Sequence, residues 1–415
     1  MRKKIIIRGP ALSQSGYGEH TRFLLRSLRS REDIFDIYLL NVGWGKTNWL
    51  FEDNHERMWI DFLLQKTAVY VQKNGTFDIS AQVTIPNEWT PLAPINIGVT
   101  AGIETTKVSP QWIEKSWGVN KIITISEHSK TVYETTTYQA TDNDSGQQFI
   151  ARCTPPIEIV HYPAKTLKAV ELDMDFEHDF NFLTVAQWGP RKNLENTVKW
   201  FLEEFSDKNV GLIIKTSFAK NCLLDRRLTY NTLRRLTGDS KDRKCKIYLL
   251  HGYMSDEELN SLYTHPKVKC LLSATHGEGF GLPIFEAAYN GLPIIAPSWS
   301  GHVDFLYMPK QTKEGKIKNK AMFSKVDYNL APVPKEVVWD GVLQADSMWC
   351  DAKEQSFKLK MKDMIDNWER HAKRAKELQQ YVLENFNQEK QYAAFVDAIL
   401  QVVQAPAEEE LVEFE

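Results

Sequence analysis

At 415 residues the chain is longer than a single hydrophobic core usually organises, so two domains are expected. Its 42% hydrophobic and 25% charged residues exclude a disordered or fibrous chain. A formal net charge of −3 argues against a broad basic footprint for nucleic acid or an anionic membrane surface, while leaving room for a local basic cleft. The five cysteines (Cys153, Cys222, Cys245, Cys270 and Cys350) are widely spread and form no Cys-x-x-Cys pair. Free thiols in a reducing compartment are therefore expected, with no metal site and no disulfide framework. Ile5-Ile6-Ile7 is too short for a signal-peptide core, and no 18-residue apolar run follows. The expectation is a soluble cytoplasmic protein without integral membrane association.

The run Ile5 to Ile7 reads as a strand, followed by a Gly/Pro/Ser-rich loop from Gly9 to Gly18 and a helix carrying Phe23, Leu24, Leu25 and Leu28. Strand, glycine loop and helix is how an α/β domain builds a phosphate-receptive end on a parallel sheet. Further strands are predicted over 37–40, 95–99 and 121–125. Ser126-Glu127-His128-Ser129 then starts a helix with an N-cap residue. Residues 1–170 form the predicted first domain, and 162–179, with Pro163 and an acidic segment, a linker.

The same grammar restarts in a second domain over 171–375. Short apolar runs at 182–186, 211–214, 246–250, 269–273 and 293–296, bounded by turn residues, read as central parallel strands. Two α/β units in tandem without an internal repeat predict two facing domains with a cleft between them. Residues 309–350 are less regular, with Lys310 to Lys320 expected as a solvated basic loop. From 354 to 404 the pattern is helical and amphipathic, and 406–415 reads as a frayed acidic tail.

The strongest chemical signal is Gly277-Glu278-Gly279-Phe280-Gly281-Leu282-Pro283-Ile284-Phe285-Glu286. Glycines alternating around Glu278 let the backbone approach a ligand closely. Leu282-Pro283 starts a helix whose N-terminus favours an anion such as a diphosphate. Glu286 falls about one turn inside that helix. A second signal is Gln187-Trp188-Gly189-Pro190-Arg191-Lys192-Asn193, whose fixed cations suit a leaving diphosphate. A third is Gly16-Tyr17-Gly18-Glu19-His20, which is not a dinucleotide fingerprint. Ile247 to Leu259 reads as a strand, a glycine turn and a capped helix, and a catalytic role for His251 is not expected. Trp44, Trp49, Trp89 and Trp112 are candidates to stack on sugar rings, although core packing accounts for most tryptophans.

The 277–288 string resembles the Glu-x7-Glu motif of retaining glycosyltransferases of GT-B fold, above all glycosyltransferase family 4. That resemblance implies two Rossmann-like, doubly wound domains facing a central cleft, with a C-terminal helix over 376–405 returning to the first domain. It implies that Glu278 contacts the transferred sugar, that Glu286 binds the nucleotide ribose, and that Gly279, Phe280, Gly281 and Leu282 line the sugar and diphosphate. Lys192 stands where the family places a diphosphate-binding lysine. The family's usual arginine position holds Gln187, so Arg191 is the candidate substitute. Gly16 and Gly18 match the family's N-terminal glycine loop on the donor side. Glu104 lies where relatives place acceptor-side groups, with a buried or capping role as the alternative.

The implied function is transfer of a sugar from a nucleotide-diphosphate-sugar to an acceptor hydroxyl, with retention and without metal or other cofactor. The acceptor stays open among glycan, lipid-linked, protein and modified nucleic-acid hydroxyls. The alternatives are a nucleotide-sugar-binding scaffold, an epimerase or phosphorylase of the same fold, and a glycoside hydrolase using the two glutamates.

Overall fold

The computed structural model describes residues 2–142, 144–238, 242–312 and 314–404. The acidic tail expected over 406–415 lies outside the described residues.

The first domain begins with β1 (Lys3–Gly9), in which Ile5, Ile6 and Ile7 are buried, and passes into α1 (Gly16–Arg29). There follow β2 (Phe35–Asn41), α2 (His55–Gln72), β3 (Ile79–Val83), β4 (Ile95–Val99), α3 (Pro110–Ser116), β5 (Lys121–Thr124) and α4 (Glu127–Thr135). A hairpin of β6 (Thr137–Thr141) and β7 (Gln148–Arg152) precedes the edge strand β8 (Ile157–Ile159). The strands order as β2-β1-β3-β4-β5-β8, all parallel. Neither α2 nor β3 is evident in the sequence. Ile79-Ser80-Ala81-Gln82-Val83 is buried at every position, but its polar residues interrupt the apolar run that marks a central strand.

The second domain repeats the layout with β9 (Asn181–Val185), α5 (Leu194–Phe205), β10 (Gly211–Lys215), α6 (Leu223–Thr237), β11 (Lys246–Leu250) and α7 (Asp256–Tyr263). It continues with β12 (Val268–Leu272), α8 (Leu282–Tyr289), β13 (Ile294–Pro297) and α9 (Val303–Leu306). Beyond them lie β14 (Tyr307–Gln311), β15 (Ile317–Ala321), β16 (Ser324–Val326), β17 (Tyr328–Pro332) and β18 (Met348–Ala352). The sheet order is β11-β10-β9-β12-β13-β16, again all parallel. Strand order reverses between β9 and β12, and ligands of doubly wound sheets bind at the crevice such a reversal opens. Both motifs that the sequence singles out in this domain leave the sheet there.

The stretch expected as a solvated basic loop over 310–320 is instead the antiparallel hairpin β14–β15. Its ladder is made of backbone hydrogen bonds that need no apolar alternation, and lysines on an edge discourage pairing with other chains. Gly315 takes φ +79° in the turn.

The chain closes with α10 (Glu354–Asp366), α11 (Trp368–Asn385) and α12 (Gln388–Gln404). Helix α11 lies on α8, where the Gln379 amide donates to Tyr289 O at 2.9 Å. The helix that crosses back is α12. Phe395 meets Phe23 of α1 with ring centroids 5.0 Å apart, and Lys121 donates to Gln401 at 2.5 Å. Residues 376–385 thus belong to α11 on the second domain, and the crossing falls later than the expected position 376. The main hydrophobic cluster runs through both domains, from Ile5 and Phe23 to Phe285 and Phe395, so burial itself couples the two halves.

Candidate functional site

Two loops from the β9/β12 crevice build the site. After β9, Gly189-Pro190 turns into a single helical turn over Pro190–Lys192, and Asn193 follows in the left-handed region with φ +54°. The Asn193 side chain donates to Ala274 O at 3.1 Å, and His276 N donates to Arg191 O at 2.8 Å. The β9 loop is thereby fastened to the β12 loop, and Lys192 is aimed across the gap. After β12, Thr275 to Gly281 runs nearly buried beneath it, and Gly281 at φ +90° hands the chain to α8.

At the centre is Glu278, 6% exposed. Lys192 Nζ donates to its two oxygens at 2.6 and 2.8 Å, Arg191 at 3.1 Å and the Thr275 hydroxyl at 2.8 Å. Burial alone would raise its pKa, but Lys192 and Arg191 outweigh that and hold the carboxyl down at about 2. Three donors on a buried carboxylate favour its ionised form. Arg191 also reaches the opposite domain, where its Nη2 lies 3.2 Å from Glu104 Oε1. The four side chains balance as two cations and two anions. An incoming diphosphate would compete with both carboxylates for the same pair of cations.

Glu286 stands apart in α8, accepting from the Tyr263 hydroxyl at 2.8 Å. Burial, opposed by that hydrogen bond, pushes its carboxyl up to about 7. The folded state therefore holds a proton that the unfolded state, near 4.5, has released, and stability falls as pH rises from about 4.5 to about 7. Glu286→Gln is expected to exceed the parent's stability by about 3 kcal/mol near pH 8, with the difference vanishing below about pH 4. Urea unfolding at the two pH values checks this, and equal gains at both would contradict the titration.

Further residues place these groups, and among them Ser300 and Gly301 carry no motif in the sequence. Ser300, at φ +78°, accepts Glu278 N on its hydroxyl at 2.9 Å, and Gly301 N donates to Glu278 O at 2.9 Å. The turn after β13 thus clamps the loop that carries the carboxylate. From the first domain, the Ser126 hydroxyl donates to Gly279 O at 2.7 Å. Tyr17 accepts on its hydroxyl from Ala101 N at 3.2 Å and Gly102 N at 3.1 Å, fixing the loop that faces Gly279. A Cβ on Gly279 would lie 1.8 Å from Ala101 O, and one on Gly277 2.2 Å from Glu104 O. The glycines of this string therefore also admit the backbone of the facing domain.

Other sequence candidates sit differently. Gly16 and Gly18 form the first turn of α1 rather than a loop, behind the Ser15 N-cap, and a Cβ on Gly18 would meet Ser13 O at 2.0 Å. Close packing inside the first domain is what requires that glycine. The Phe280 ring is buried against Tyr162, Phe285 and Phe305, and Leu282 begins α8. Gln187 points away from the cluster and donates to Phe218 O. Trp89 and Trp112 are core residues, Trp44 lies 4.4 Å from the Tyr17 ring, and Trp49 is exposed. His251 pairs with Asp225 at 2.8 Å. Among the described residues no helix is long and apolar enough to cross a membrane, and no three His, Cys, Asp or Glu side chains converge to hold a metal ion.

Comparison with known proteins fits this geometry. Residues 241–310, which contain the whole Glu278 to Glu286 string, match the family model for glycosyl transferases group 1. The serotype-specific mannosyltransferase WbdA of Escherichia coli is 31% identical over 118 residues, 28% of this chain and 13% of that protein. The match thus spans a small part of that relative. Sucrose-phosphate synthase from Thermosynechococcus elongatus superposes with a TM-score of 0.61 at 11% identity, covering 97% of this chain and 99% of that one. HepE from Anabaena, solved in complex with UDP-glucose, gives 0.57 at 11% identity, covering 96% and 100%. The class is therefore a two-domain protein of the GT-B glycosyltransferase fold. Within that class, its second domain carries the sequence signature of glycosyl transferases group 1.

Proposed function

We propose that this protein transfers a sugar from a nucleotide-diphosphate-sugar to an acceptor hydroxyl, with retention at the anomeric carbon and without a divalent ion. The observation that carries the reading is the convergence of Lys192 and Arg191 on the buried Glu278, at the strand-order reversal and beside the α8 N-terminus.

Lys192 and Arg191 bind the donor diphosphate and offset the charge that grows on it as the sugar departs, the part a metal ion plays in other transferases. Glu278, fixed as an anion, accepts hydroxyls of the transferred sugar and keeps the two cations aligned. Glu286 accepts ribose hydroxyls in its ionised form. The acceptor hydroxyl attacks on the face the nucleotide leaves, and a diphosphate oxygen takes its proton. Glu104, held by Arg191 across the cleft, orients the acceptor.

The reading is tested by thermal shift against UDP, GDP, ADP and TDP with their common sugars, in chelator. At a hundredfold excess over Kd the cognate nucleotide adds about 2.7 kcal/mol, a shift of several degrees. Glu286→Ala should abolish most of it. No shift with any nucleotide would overturn the donor site, and a shift that appears only with added manganese would overturn metal independence.

A further inference from the structure

The net charge conceals one strongly cationic element. Helix α6 exposes Arg226, Arg227 and Arg235, while its one acid, Asp225, is buried and accepts from the amides of Phe218, Ala219 and Lys220. The same outer face carries Leu223, Leu224 and Leu228, each more than half exposed. Arg226 and Arg227 lie between Leu224 and Leu228 on the first turns of that face, and Arg235 stands at its far end. The inner stripe of Asp225, Thr229, Thr232 and Leu233 is buried against the domain. A helix face that exposes leucines beside arginines offers apolar side chains to a headgroup boundary and cations to lipid phosphates.

The apolar end of this helix does not stand alone. Asn221, just before it, donates to Asn48 Oδ1 at 3.2 Å and to Gln14 at 3.3 Å, both in the first domain. Beside Asn48 the loop presents Trp49 and Phe51, again each more than half exposed, with Phe51 resting on Tyr253 at 4.7 Å. Both segments follow the carboxyl ends of strands, β2 in one domain and β10 in the other, which is the edge where the functional site opens. An apolar rim therefore straddles the domain junction at the cleft mouth, with Arg226 and Arg227 among its leucines and Glu52 and Asp53 following its aromatic end.

We infer that α6 and the Trp49–Phe51 loop form a peripheral docking surface for an anionic lipid bilayer, which holds the cleft mouth against the membrane. The leucines and aromatic side chains enter the headgroup boundary, and the arginines engage lipid phosphates. The surface presents the site to an acceptor carried by the bilayer.

Co-sedimentation of the full chain with vesicles tests this, using phosphatidylcholine alone or mixed with phosphatidylglycerol. Binding is expected only to the mixed vesicles and should weaken in high salt. Removing two arginines in Arg226→Gln/Arg227→Gln should lower the partition coefficient by roughly 30-fold, and Leu224→Gln/Leu228→Gln should also release the protein. Both variants should keep the parent's thermal stability and its thermal shift with nucleotide, which separates loss of docking from misfolding and from failure of the donor site. Absence of binding to mixed vesicles, or binding indifferent to salt and to both variants, would overturn the inference. Concentration-dependent dimerisation abolished by the leucine variant would overturn it too, by assigning this face to a second copy of the chain.

Discussion

Lys192→Met is expected to reduce sugar transfer by about 10³-fold, because on the proposed reading it removes the cation that receives charge on the departing diphosphate. The same change strands part of the Glu278 charge. Arg191 at 3.1 Å and Thr275 at 2.8 Å remain as partners. A carboxylate this buried still loses its shortest ion pair, at a cost to stability of about 3 kcal/mol. The two effects separate in the double variant Lys192→Met/Glu278→Gln, in which the uncompensated charge is gone. Stability should recover while transfer stays lost. Urea unfolding and single-turnover transfer rates on the parent and the two variants measure both. Transfer within tenfold of the parent in Lys192→Met would remove the lysine from the chemistry.

The second large effect is expected from Gly279→Ala, which adds a single methyl group. Gly279 does not need a left-handed backbone, so the substitution is compatible with the fold of the second domain. Its Cβ would instead lie 1.8 Å from the carbonyl of Ala101 in the first domain, a backbone atom that no rotamer can move. The two loops must separate, and the Ser126–Gly279 hydrogen bond and Arg191–Glu104 ion pair separate with them. Misplacement on the ångström scale costs about 10² in rate. We therefore expect at least that loss in kcat/KM, with nucleotide binding by the second domain kept. Small-angle scattering should show a larger radius of gyration than the parent's. An unchanged radius with full activity would show that this contact does not set the working geometry.

These predictions rest on a site of which half is legible in the sequence. The Glu278 to Glu286 string and Lys192 could be found because glycine spacing, a helix-starting proline and a strand-end cation are local properties of a few adjacent residues. The strands with continuous apolar runs were legible for the same reason. Strand β3 was not, since Ser80 and Gln82 are buried by neighbours that only the folded sheet supplies. Ser300 and Thr275 carry no signal either, and Tyr17 and Ser126 show only a glycine-flanked turn and an N-cap, because the hydrogen bonds by which they act on the site depend on how the loops come to lie in the fold.

By itself the sequence determined a two-domain α/β chain, the identity of the charged residues at the second sheet's crevice, and the lack of a dinucleotide fingerprint. Those follow from apolar periodicity and turn chemistry, which act over a few residues. The tertiary structure decided which charges meet. It joined Arg191 to both Glu278 and Glu104, gave Glu278 and Glu286 opposite protonation tendencies, and gathered arginines and exposed apolar side chains at one edge of an otherwise near-neutral protein. Coulombic coupling and desolvation depend on distance and burial in space, and neither quantity is written along the chain.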